Sequence, residues 1–119
     1  MNESGEMYLE TIFILLQRKE EGLHAIDIVN HTGYSKPSIS RAMGILKRDG
    51  MIDIDDHDHI TLTEKGKKIA CRIYERHSII TRFLCSIGVD DETADADACK
   101  IEHIISDASV EKIKEFLSK

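Results

Sequence analysis

Cys99-Lys100-Ile101-Glu102-His103 sets a thiol, a carboxylate and an imidazole at i, i+3 and i+4, so a helix would carry them on one face. All three are ligands for first-row transition metals, and one is soft. Two other stretches offer similar atoms. Met7 and Glu10 share a helix face by their i, i+3 spacing, and His77 interrupts an apolar stripe with a titratable ring. Taken singly, each has an ordinary reading. Cys99 would be a small buried hydrophobe, His77 a hydrogen-bonded core residue, Met7 helix packing and Glu10 helix surface. Together they make a mixed sulfur, nitrogen and carboxylate set suited to Fe(II), Mn(II), Co(II), Ni(II) or Zn(II). A thiol enzyme is a different chemistry on the same residues, with Cys99 as nucleophile and His103 as base. The sequence offers it no oxyanion donor and no substrate cleft.

The elements that must position these residues are mostly helices. Ser4 reads as the N-cap of a first helix running to Lys19, with Leu9, Ile12, Leu15 and Leu16 inward and Gly22 ending it. A short helix follows from Ala25 to His31, with Ile26, Ile28 and Val29 apolar. Thr32-Gly33-Tyr34 is a tight connection, and Ser35 caps a third helix with Pro37 in its first turn, where no N–H is needed. Ile39, Ala42, Met43 and Leu46 form its inward stripe, and Asp49-Gly50 stops it. Met51–Ile54 and His59–Leu62 are β-prone runs joined by a hairpin tip, Asp55-Asp56-His57-Asp58. Thr63 caps a long helix to Ile87, closed by Gly88, with Ile69, Ile73, His77, Ile80 and Leu84 on one face. Helices over 92–106 and 109–117 complete the chain.

Two helices on a tight glycine turn, followed by a hairpin, form a winged helix-turn-helix. Its second helix, Lys36–Lys47, would lie in the major groove of double-stranded DNA. Ser35, Lys36, Ser38, Ser40, Arg41 and Lys47 are the candidate DNA-binding residues, because hydroxyls flanked by cations reach both base edges and phosphates. Ser35, Lys36 and Ser38 also stand at a helix N-terminus, which favours a phosphate. The wing tip is discordant: Asp55, Asp56 and Asp58 repel DNA where basic residues are expected. Its His57, Asp58 and His59 read as turn residues, with metal binding as the alternative.

The 119 residues are 41% hydrophobic, enough for one core or for two small units sharing one. Abundant charge and few aromatics favour helix over β-sandwich. We therefore expect a mainly α fold, with a winged helix-turn-helix DNA-binding domain over 1–66 and a helical metal-binding and dimerisation domain over 67–119. The net charge of −6 argues against nucleic acid only until its distribution is read. Residues 36–48 hold Lys36, Arg41, Lys47 and Arg48 without an acid, and Lys65, Lys67 and Lys68 add a second basic cluster, while Asp90, Asp91, Glu92, Asp95 and Asp97 gather the acids. No apolar run spans a bilayer and Met1–Gly5 has no signal-peptide pattern, so a soluble, cytoplasmic protein without membrane contact is expected. Cys71, Cys85 and Cys99, odd in number and widely spread, read as free thiols.

Glu6-Met7-Tyr8-Leu9-Glu10, Thr61–Lys68, Arg76-His77 and Ala98–Asp107 resemble the diphtheria toxin repressor and manganese transport regulator family of metal-dependent repressors. The likeness covers nearly the whole chain. It implies a homodimer with a winged helix in each subunit and a metal site joining the first helix to the dimerisation helices. The iron-sensing branch uses Met, Cys, Glu and His at the positions of Met7, Cys99, Glu102 and His103. The manganese-sensing branch has Asp and Glu at the positions of Met7 and Cys99, a Glu at that of Glu10, and uses the His at His77 in a second adjacent site. This chain mixes the two. Where the iron branch's ancillary site has a His and a Glu, it has Asp95 and Thr81, and an ancillary site drawing on that branch's SH3-like domain is not expected. Sulfur ligands rank Fe(II) first and Mn(II) second, with Zn(II), Co(II) or Ni(II) binding in vitro, and make the site oxidisable. The expected function is a metal-activated repressor reading palindromic operator DNA as a homodimer. The rivals are a manganese-responsive member, a metal-independent winged-helix protein and the thiol enzyme.

Overall fold

The computed structural model describes residues 3–19 and 22–119. The chain divides into two compact units, Met1–Cys71 and Arg72–Lys119.

The first unit opens with α1 (Glu3–Arg18), α2 (Ala25–Thr32) and α3 (Lys36–Arg48). Ser4 lies inside α1 and does not cap it, a correction to the sequence reading, because the helix already begins at Glu3. Leu9, Ile12, Leu23, Ile28, Ile39, Ile52 and Ile60 are fully buried together, each contributing roughly 1.5–3 kcal/mol of apolar transfer. Ile26 lies outside this core. It stays 43% exposed because only Ile28 of α2 faces fully inward. Ser35 caps α3 by accepting the Ser38 N–H at 3.3 Å, and Pro37 sits in the first turn.

The hairpin pairs β1 (Ile52–Ile54) antiparallel to β2 (Ile60–Leu62), with Asp53 opposite Thr61. Its tip is organised by Asp55, whose Oδ1 accepts the backbone N–H of His57 at 2.8 Å and of His59 at 2.9 Å. The backbone N–H groups of His59 and His57 hold the Asp55 carboxyl below its ordinary range. Thr63 then caps α4 (Glu64–Ser86): its Oγ1 accepts the Gly66 N–H at 3.0 Å and donates to the Gly50 carbonyl at 2.7 Å. Gly66 is required there. A Cβ on it would stand 2.0 Å from the Met51 carbonyl oxygen.

The second unit holds most of α4, then α5 (Asp91–Ile101) and α6 (Asp107–Leu117). Ile73, Ile79, Ile80, Ala94, Ala98 and Val110 are its buried apolar residues. Asp90 caps α5 and Ser106 caps α6 through the N–H groups of Thr93 and Ser109. These caps correct the expected limits 92–106 and 109–117. The helix stops at Ile101, and residues 102–105 form a turn before the Ser106 cap. Arg76 donates to the Ile105 carbonyl and lies 3.6 Å from Asp107, holding that turn against α4. Among the described residues, no helix is long and apolar enough to cross a membrane.

Candidate metal centre

Ala94 and Ala98 are the buried residues of α5. Burying these small residues turns the i, i+4, i+7 row Asp95, Cys99 and Glu102 along one flank of the helix. His77, one turn from the buried Ile73 and Ile80 on α4, meets that row. One ligand atom each from His77, Cys99 and Glu102 falls within 4.8 Å of the others.

Glu102 is the centre of this cluster. It is the C-cap residue of α5, with its N–H still bonded to the Ala98 carbonyl at 3.0 Å, and its side chain is completely buried. Oε2 meets His77 Nδ1 at 2.8 Å. Oε1 has no hydrogen-bond partner and stands 3.4 Å from His103 Nε2. Burying a carboxylate without satisfying its oxygens costs several kcal/mol, so a site of this kind fits a cation. His77 is held from the other side as well, with Nε2 2.7 Å from Asp95 Oδ1. When both acids are ionised they only accept, so both ring nitrogens must donate.

His103 is not where the i, i+4 pattern would carry it. The helix has ended, and the His103 N–H reaches back three residues to Lys100, in the tighter turn that follows Ile101. Its ring is nevertheless buried against Glu102. Cys99 is exposed, not the small buried hydrophobe of the ordinary reading, and all three cysteines are thiols. Met7 and Glu10 lie on α1 in the first unit. Glu10 is buried, and the Met7 sulfur is 3.7 Å from the Thr11 hydroxyl. Asp95 was not chosen as a site residue from sequence. Its place four residues before Cys99 and seven before Glu102 was the available signal.

On α3, Ser35, Lys36, Ser38, Ser40, Arg41 and Lys47 are all exposed. Ser35 and Ser38 also bond each other, hydroxyl to hydroxyl, at 2.9 Å. The acid-free stretch therefore presents its cations outward while Ile39, Met43 and Leu46 face the core.

Residues 63–119 match the family "Iron dependent repressor, metal binding and dimerisation domain". The chain is 32% identical to an uncharacterized HTH-type transcriptional regulator of Methanocaldococcus jannaschii, over all of this chain and 96% of that protein. It is 31% identical to the HTH-type transcriptional regulator MntR of Lysinibacillus sphaericus, over 96% of this chain and 81% of MntR. The chain belongs to the diphtheria toxin repressor and MntR family of metal-dependent repressors.

Other members of that family are longer. The chain is 34% identical to the iron-dependent repressor IdeR of Mycobacterium tuberculosis over 90% of its length but spans only 48% of IdeR. The solved manganese regulator SloR superposes with a TM-score of 0.84 at 27% identity, covering 98% of this chain and 54% of SloR. This is a family of regulators, not enzymes, and the thiol-enzyme rival falls with that assignment.

Proposed function

We propose that this chain is a metal-activated transcriptional repressor, responsive first to Fe(II), that binds palindromic operator DNA as a homodimer. One observation carries the reading: His77, Cys99 and Glu102 converge around a fully buried carboxylate whose Oε1 lacks a hydrogen bond. Cys99, Glu102 and His103 hold the ion, and Met7 and Glu10 complete the set, as the family resemblance implies. A bound divalent ion supplies positive charge and directional bonds to sulfur, nitrogen and oxygen.

The residues of the chain do the rest. Glu102 gives up its hydrogen bond to one His77 nitrogen, while Asp95 keeps the ring oriented through the other, the arrangement common around metal-bound histidines. Residues 1–66 act as the DNA-binding domain and 67–119 as the metal-binding and dimerisation domain. Lys36, Arg41 and Lys47 meet phosphates, and Ser35, Ser38 and Ser40 work at the N-terminal end of the recognition helix. Activation follows only if the DNA-competent state holds metal more tightly than the other. A manganese response has one observation in its favour, the buried carboxylate of Glu10.

The test is anaerobic selection of genomic DNA fragments by the full chain, with Fe(II), Mn(II) or chelator in parallel. Enrichment of one palindromic sequence with metal and none with chelator is expected. Equal enrichment in all three arms overturns metal activation.

A further inference from the structure

The hairpin tip, unexplained by DNA binding, carries a second cluster of imidazoles far in sequence from Cys99. An isolated antiparallel bridge joins Leu23 to Ile60, with the Ile60 N–H bonded to the Leu23 carbonyl at 2.6 Å. That pairing makes His24 and His59 cross-strand neighbours, and their ring centres stand 4.6 Å apart. His57 adds a third ring, 6.2 Å from that of His59. Two imidazoles sharing one ion at about 2 Å from each nitrogen have ring centres roughly 4.5–6.5 Å apart, and both separations fall in that span.

The support around these rings is specific. His59 Nδ1 lies 3.1 Å from Asp55 Oδ2, while Asp55 Oδ1 accepts the backbone N–H groups of His57 and His59. A carboxylate accepts, so Nδ1 carries the proton and Nε2 keeps the lone pair, the tautomer that metal-bound histidines take when a carboxylate backs them. Gly22 packs closely on the same side chain. A Cβ on Gly22 would stand 2.6 Å from His59 Cδ2, so only glycine lets the backbone approach this side chain so closely. On the other strand, Asp27 accepts the His24 backbone N–H at 2.9 Å and fixes the start of α2.

We propose that His24 and His59, joined by the exposed His57, form a second divalent-metal site on the wing, for an ion favouring imidazole such as Zn(II) or Ni(II). The rings of His24 and His59 already adjoin, and His57 brings its nitrogen to them by turning its exposed side chain. Asp55 orients His59 without binding the ion. Such an ion would place two positive charges beside Asp55, Asp56 and Asp58, offsetting the acidity that sets this wing apart.

The experiment titrates the full chain with Zn(II) and Co(II) without oxygen, as wild type, Cys99→Ala/Glu102→Gln, and His24→Gln/His59→Gln. Cobalt separates the sites, because only a thiolate ligand gives an intense sulfur-to-cobalt charge-transfer band. The Cys99 variant should lose that band and still bind one zinc per chain. The histidine variant should keep the band and lose one equivalent. Asp55→Asn should weaken the wing site roughly 10–100-fold. Because His24 and His59 are half-buried and their replacement can unfold the wing, a second measurement uses the unaltered wing. In the Cys99→Ala/Glu102→Gln chain, zinc should shift the ring resonances of His24, His57 and His59 together, saturating at one equivalent. Absence of zinc binding by that chain, or histidine resonances that stay in place, overturns the site.

Discussion

His77 Nδ1 and Glu102 Oε2 stand 2.8 Å apart, and the carboxylate that makes this bond is wholly buried. The pair is a structural tie between α4 and α5, and both residues belong to the proposed metal site. Glu102→Gln separates these roles. It keeps an acceptor for His77 but removes the charge. Urea unfolding of the metal-free protein should show a loss of about 1–3 kcal/mol. Equilibrium dialysis should show a loss of metal affinity out of proportion to that figure.

Asp95 meets His77 across 2.7 Å, so in the proposed site it would act on the metal through that ring. Asp95→Asn should reduce metal affinity by roughly 10–100-fold and leave the sulfur-to-cobalt band of Cys99 in place. A carboxylate 66% exposed at its side chain contributes little to folding, so the melting temperature of the apo protein should hardly move.

The mixture of ligands from two branches makes metal preference testable. Met7→Asp/Cys99→Glu removes both proposed sulfur ligands and leaves Glu10, Glu102, His77 and His103. Competition between Fe(II) and Mn(II) should shift toward Mn(II) in the double variant, because thioether and thiolate disfavour manganese. An unchanged ratio would remove Met7 and Cys99 from the ligand set.

Gly66 offers a prediction about the scaffold. Its missing Cβ is filled by the Met51 carbonyl, which a methyl group would meet at 2.0 Å. Backbone has to move to admit Gly66→Ala, at a cost of about 1–3 kcal/mol or more. Thermal unfolding should report it as a clear drop, despite the higher helix propensity of alanine.

Asp27 gives a pH dependence of known sign. The Lys19 ammonium at 2.8 Å, then the His24 backbone N–H, hold its carboxyl below the ordinary value of 3.8. A depressed folded-state value stabilises the fold above the unfolded value, and that stabilisation is lost as pH falls through the folded one. Asp27→Asn should therefore be less stable than wild type at neutral pH. The gap should close as pH falls through and below 3.8, as followed by circular dichroism.

The helices, the Ser35 and Thr63 caps and the hairpin were legible because each rests on local chemistry: a hydroxyl before an apolar repeat, a glycine after it, alternation around a turn. The end of α5 was not. Residues 102–106 carry no proline or glycine, so nothing local says stop, and the helix yields to the Ser106 cap and to Arg76 on the Ile105 carbonyl. Which of the apolar residues Ile26, Ile28 and Val29 faces the core was not legible, because a helix of two turns sets no clear stripe. Of the metal centre, Cys99, Glu102 and His77 were singled out by residue type. Asp95 was passed over because it sits among acids that read as solvated surface. The His24–His59 pair was invisible, since only the bridge between Leu23 and Ile60 brings together residues 35 positions apart.

Reciprocity between metal and DNA tests the central claim most directly. If metal raises affinity for operator DNA, the operator must raise affinity for metal by the same factor. The measurement is the anaerobic Fe(II) affinity of the wild-type chain, with and without a saturating duplex carrying the selected operator. The account predicts tighter metal binding with operator, by 5-fold or more on the order of ordinary allosteric coupling. It also predicts no such gain with a scrambled duplex or in Glu102→Gln. The same Fe(II) affinity with and without operator would contradict it.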